Sequence, residues 1–373
     1  MKVLAIIAIP EFGSTETHVV SLSKALKRHG IGVTVATYGG PYVQVMRRQG
    51  ITVHKIPRSK RLSTTAAARY ISTIVKGHGY SIIHAHDIES FGMLRHLSKE
   101  LPHVPRVITV HGTYFSSTEL KRASRACNRV IAVSRTVRKR LIRAGCPSSK
   151  VKWIPNGIHV QVYSPKADSI SRRRKLRLPE KGHICLYVGR LQSDKWRIAR
   201  KFILASERVA RNRANVVSVV VGYGAYRAQL SKLAKRVNTR LGRKAVRVLP
   251  PTTQIQNYYR SATLVVGTGR VALEAMSCAK PVIAAGIAGY EGIVTQSTWK
   301  RNASSQFGDN RASGEITVRR LANDMKKLIR DERLNKSAGK FGRNMVVRRF
   351  SVVRTAKLTS GVYRKVTYGG QEA

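Results

Sequence analysis

Short, near-continuous apolar runs alternate with amphipathic segments along almost the whole chain. The runs at Val3–Ile9, Val33–Thr37, Thr52–Ile56, Ile82–His86, Val107–Val110 and Val130–Ser134 read as strands buried on both faces. Between them, Thr15–His29, Tyr42–Gln49, Thr64–Lys76 and Arg135–Ala144 carry helical spacing. A second series follows at Ile184–Val188, Val216–Val221, Val246–Leu249, Leu264–Val266 and Val282–Ala285. Strands alternating with helices predict a parallel sheet covered by helices on both faces, here twice over. At 373 residues the chain is long enough for two such domains.

The spacing predicts an N-terminal domain over residues 1–155, a linker over 156–180, a second domain over 181–340, and a helical segment over 341–373 that packs back toward the first domain. Pro155, Gly157 and the basic run Arg172–Lys175 mark the linker. The opening run ends at Pro10-Glu11 without a small-x-small cleavage site, so it reads as a buried first strand. No apolar stretch approaches the roughly 18 residues that span a bilayer. Four scattered cysteines fit neither a zinc spacing nor a disulfide framework.

Leu264–Gly286 is the segment where chemistry first shows: strand, a Gly267-Thr268-Gly269 turn, a helix carrying Glu274, and a second strand. A glycine turn lets backbone N–H groups approach a phosphate or sugar, and Glu274, about one helical turn beyond, can accept from hydroxyls. Such a unit describes a nucleotide-type ligand at the carboxyl end of a parallel sheet. Arg190 and Lys195 follow another strand, five residues apart. His84 and His86 form an His-x-His pair on one strand face; without a third ligand in view, no metal is expected there. No Asp-x-Asp pair is present to hold a metal-bound donor.

In order along the chain stand Phe12-Gly13-Ser14-Thr15-Glu16-Thr17-His18, Ile82–Asp87, Thr109-Val110-His111-Gly112, Ile154–Ile158, and Tyr187–Leu191 with Asp194-Lys195. On these motifs the chain resembles the family-4 retaining glycosyltransferases from Lys2 to about Thr295. The resemblance implies the GT-B fold: α/β, two doubly wound Rossmann-like domains facing a central cleft. It implies transfer of a sugar from a nucleotide-diphosphate sugar to a glycan or lipid-linked cell-envelope acceptor, with retention, without a cofactor and without a divalent metal. His111 would contact the reacting sugar. Arg190 and Lys195 would clamp the diphosphate, Gly267, Thr268 and Gly269 would contact sugar or phosphate, and Glu274 would hold the ribose. Gly13 and Ser14 would approach donor or acceptor, although a plain strand-to-helix turn explains Gly13 equally well. The family's Glu-x7-Glu pattern is incomplete, because Val266 stands at its first position. That departure keeps open a catalytically silent polyanion- or membrane-binding protein, beside a GT-B nucleotide-sugar epimerase. Trp196 departs too, where a glycine commonly follows the lysine.

The charge balance is extreme, with 70 Lys+Arg against 18 Asp+Glu and a net charge of +52. A field of that size attracts polyanions. The cations spread over the whole chain without a reading motif, which argues against a specific nucleic-acid partner. Lys121–Lys152 holds eleven cations and no acid, and Val137, Leu141 and Ile142 form a stripe within it. The stripe either inserts weakly at an anionic bilayer surface or packs on the sheet. The first reading puts the protein in the cytoplasm, peripheral at the inner face of the membrane.

Overall fold

The computed structural model describes residues 1–11, 13–192, 195–310 and 312–369. Phe12 and Asp194 of the motifs above lie outside the described residues. The chain divides into two compact units, Met1–Gly157 with Val352–Ala373, and Ile158–Ser351.

The first unit is built on β1 (Lys2–Ile6), β2 (Gly32–Thr37), β3 (Thr52–Lys55), β4 (Ile82–Ala85), β5 (Arg106–Val110), β6 (Arg129–Ala132) and β7 (Val151–Trp153). They form one all-parallel sheet in the order β3-β2-β1-β4-β5-β6-β7. The second unit contains β8 (His183–Val188), β9 (Val216–Val221), β10 (Val246–Leu249), β11 (Leu264–Gly267), β12 (Val282–Gly286) and β13 (Gly289–Ile293), in the order β10-β9-β8-β11-β12-β13. Among the described residues of this sheet, β13 alone runs antiparallel. The strands are apolar on both sides because helices cover both faces, and each sheet is buried between two apolar clusters or more. In each unit the strand order reverses beside the first strand, between β1 and β4 and between β8 and β11. These are topological switch points, where the loops leaving neighbouring strands diverge and leave room for a ligand.

The division differs from the expected one in two places. Residues 156–180 are not a free linker: Ile158, Val160 and Leu178 are buried in the second unit's core. Arg260 further ties the segment down by donating to the carbonyls of Val162 and Ser164. The return to the first unit begins at Val352, not near residue 341. Helix Glu332–Phe350 packs on helix Gly269–Ser277 and buries Ala338 and Val346, so it stays with the second unit. Extended backbone at Ser351 then separates it from helix Val352–Tyr368. That last helix buries Val352, Ala356, Val362 and Tyr363 against Val3, Leu22, Ile82 and Val107 of the first unit.

All four cysteines are buried and free. Among the described residues, no helix is long and apolar enough to cross a membrane. In helix Arg135–Arg143 the Val137 and Leu141 side chains are fully buried in the sheet-facing core. Packing consumes Val137 and Leu141, and of the stripe Ile142 stays half-buried.

Candidate functional site

At the switch point of the second unit, the loop after β8 carries Arg190 and Lys195, and the turn after β11 carries Gly267–Gly269. Arg190 is exposed at the strand end. The Lys195 ammonium donates to the Asp309 carboxylate at 3.1 Å, with both side chains largely buried. The same carboxylate lies against Gly269, where an added Cβ would stand 3.2 Å from Asp309 Oδ2. Gly269 also has φ +51, in the left-handed region that disfavours a side chain. Lys195 and the glycine turn are thus brought together through Asp309, a residue the sequence reading did not assign.

The turn's donors are already engaged. The Thr268 hydroxyl and the Gly269 N–H both donate to the Gln306 carbonyl at 3.0 Å. The expectation that this hydroxyl and amide are freely offered to a ligand is therefore corrected. Gln306 and Phe307 have positive φ, which bends the chain so that the carbonyl of Gln306 reaches the turn. Trp196, in place of a small residue, stacks flat on Tyr226 with ring centroids 4.6 Å apart and packs the start of the following helix.

Glu274 is only 6% exposed. Its carboxylate accepts from Arg270 Nε at 2.7 Å, one helical turn earlier, and from the Tyr259 hydroxyl at 3.2 Å. Tyr163 lies near enough to feel its charge. Burial, then the Glu274 charge, pushes both phenols well above their usual range, so both remain protonated donors. Glu274 therefore sits in a buried, charge-balanced network, and its carboxylate is not open to a ribose as the chain stands. Val266 is completely buried among the apolar residues of the second core. A glutamate placed in this apolar surrounding would be a desolvated charge.

The switch point of the first unit has a different chemistry. Gly13 precedes helix Ser14–Leu26, and an added Cβ there would meet Glu16 Oε2 at 2.5 Å. The glycine makes room for that buried carboxylate, which accepts from the Glu11 N–H. Ser14 is exposed. Burial raises the pKa of Glu16 and of Asp87, whose carboxylate caps the next helix by accepting from Ser90 N–H and also bonds Ala8 N–H.

His111 leaves β5 part-buried, and its Nε2 lies 3.2 Å from His86 Nδ1. His18 packs edge-on against it, with centroids 5.1 Å apart. One ring nitrogen from each of His18, His86 and His111 lies within 4.8 Å of the others. The His-x-His pair therefore does not act together: His86 alone groups with other imidazoles, those of His18 and His111. His84 is not part of the group: its ring nitrogens pair with the Tyr363 hydroxyl at 2.6 Å and Thr109 Oγ1 at 2.8 Å. Burial lowers His84 and His111 to about 3 and pushes His86 well below the usual imidazole range.

Residues 15–162 match the model of Glycosyltransferase Family 4, and residues 168–345 match Glycosyl transferases group 1. The chain belongs to the family-4, group 1 glycosyltransferases. It is 29% identical over 281 residues to D-inositol 3-phosphate glycosyltransferase of Salinispora arenicola, covering 64% of this chain and 61% of that protein. The chain therefore spans about three-fifths of that relative. It is 25% identical over 391 residues to alpha-maltose-1-phosphate synthase of Mycolicibacterium smegmatis, covering 95% of this chain and 96% of that one. Among solved structures, Anabaena HepE in complex with UDP superposes with a TM-score of 0.77 at 21% identity, covering 97% of this chain and 99% of that one. HepE has also been solved with UDP-glucose. This likeness establishes the GT-B fold for the family-4 chain.

Proposed function

We propose that this glycosyltransferase moves a hexose from a nucleotide-diphosphate sugar to a hydroxyl of a glycan or lipid-linked cell-envelope acceptor, with retention of configuration. The observation that carries the reading is Lys195, held by Asp309 against the glycine turn at the switch point of the second unit. As the glycosidic bond breaks, negative charge grows on the departing diphosphate. Lys195, exchanging its carboxylate partner for that diphosphate, and Arg190 in the same loop after β8 would neutralise the charge in place of a divalent ion. Loss of its cation partner favours a turn of Asp309 away from the anion. Rearrangement of the Arg270–Glu274–Tyr259 network would free Glu274 for the ribose, and His111 would contact the reacting sugar.

HepE binds UDP and UDP-glucose, which supports a nucleotide-sugar donor here. A cytoplasmic enzyme meeting lipid-linked acceptors at the inner membrane face suits the net charge of +52. The test is release of nucleoside diphosphate from a panel of nucleotide sugars in EDTA, with Lys195→Ala beside the wild-type chain. The expected result is turnover with at least one sugar and a drop in kcat/KM of roughly 100- to 1,000-fold in the variant. Turnover unchanged in Lys195→Ala would remove the clamp from the account.

A further inference from the structure

We propose that His18, His86 and His111 form a binding site for one divalent transition-metal ion of the zinc type. The three ligands come from separate segments that the sheet order β1-β4-β5 brings together. His18 lies on the helix after β1, and His86 and His111 directly follow β4 and β5. Tetrahedral zinc with nitrogen at about 2.0–2.1 Å requires ligand nitrogens about 3.4 Å apart. The His86–His111 edge, at 3.2 Å, already has that length, and the remaining edges lie within 4.8 Å. Small side-chain rotations close the difference.

The surroundings suit an ion. His18 and His86 are 4% and 3% exposed, so a bound ion would be shielded from bulk water, with entry on the side of the part-buried His111. His84, fixed by Tyr363 and Thr109, lies tilted against His86 with ring centroids 4.1 Å apart. Asp87 and Glu16 stand at the same strand and helix ends, where their carboxyls accept backbone N–H groups. Three imidazoles without a fourth protein ligand leave one coordination position for water or an anion. The site is in the first unit and takes no part in the Lys195 clamp. Its consequence for transfer rests on the reading above: an ion that holds His111 withdraws it from the sugar, so metal would inhibit and chelation would restore activity.

The test is a titration of the metal-stripped full chain with Co2+, whose tetrahedral complexes absorb strongly in the visible. The expected result is a band that saturates at one equivalent and is displaced by one equivalent of Zn2+. It should be lost in His18→Ala and in His86→Ala and retained in His54→Ala, a histidine that pairs with Tyr80 elsewhere in the unit. X-ray absorption of the wild-type Zn2+ complex covers the case in which an alanine variant does not fold, and should show three imidazoles at about 2.0–2.1 Å. Absence of the band, a band that survives in folded His86→Ala, or fewer than three imidazoles would overturn the site. Binding without inhibition would overturn only the role given to His111, and inhibition is not needed for the site itself.

Discussion

The two units share a doubly wound sheet and a switch point beside their first strand, yet they fill that point with opposite chemistry. In the first unit it holds imidazoles packed ring against ring, beside two buried carboxyls. In the second it holds ion pairs, Lys195 with Asp309 and Arg270 with Glu274. The backbone topology is alike, so the difference comes from a few residues at strand ends. A cluster of imidazoles suits hydrogen-bonded contact with a sugar, whereas exchangeable ion pairs suit an anion that must be held and released. The comparison teaches that the fold supplies the place and the strand-end residues supply the charge.

The largest effect that would sharpen this contrast belongs to the buried ion pair of the second unit. Arg270→Ala strands the Glu274 carboxylate with only phenol donors, and breaking such a pair costs about 3 kcal/mol or more. Denaturant unfolding should show that loss, and Arg270→Ala combined with Glu274→Ala should recover part of it. A single variant as stable as the wild type would mean that the carboxylate is solvated, not charge-balanced from within.

The next effect separates the units by pH, in metal-stripped protein. His84 has a folded pKa of about 3, below its unfolded value of about 6.5. The unfolded chain therefore takes up a proton that the folded one refuses, and stability falls as pH drops from about 6.5 toward 3. For His84 alone the loss is about 2 kcal/mol at pH 5. Glu207 in the second unit behaves otherwise. Its bonds to Arg240 and Arg211 lower it to about 2, so its contribution is complete above the unfolded carboxylate range and is lost only below about pH 4.5. Hydrogen exchange at pH 5 should therefore quicken in the first unit before the second, and His84→Gln should reduce the difference. Equal protection of both units at pH 5 would break the comparison.

Much of the fold was legible because buried parallel strands are apolar at nearly every position. The two strands that escaped notice, β7 and β13, are edge strands with polar or glycine-rich sequences, Val151-Lys152-Trp153 and Gly289–Ile293. The end of the second unit was misplaced because helix Glu332–Phe350 and helix Val352–Tyr368 read as one basic helical region. Only the extended backbone at Ser351 divides them. At the site, Lys195, the glycine turn and Glu274 were visible as motifs. Their partners were not, because Asp309 lies 114 residues from Lys195 and Tyr259 reaches Glu274 from another helix. The Arg270–Glu274 spacing was there to read as an i,i+4 pair on one helix face. The histidine cluster joins residues on three separate segments, and only the strand order brings them together.

The most direct test of the account is calorimetric titration of the full chain with nucleoside diphosphates in EDTA and moderate salt, for the wild type and for Lys195→Ala. The account predicts one binding site that prefers a particular base, requires no metal and is lost in the variant. Weak binding of every diphosphate alike, abolished by salt and unchanged in Lys195→Ala, would show that the net positive charge alone attracts them and would contradict a donor site in the second unit.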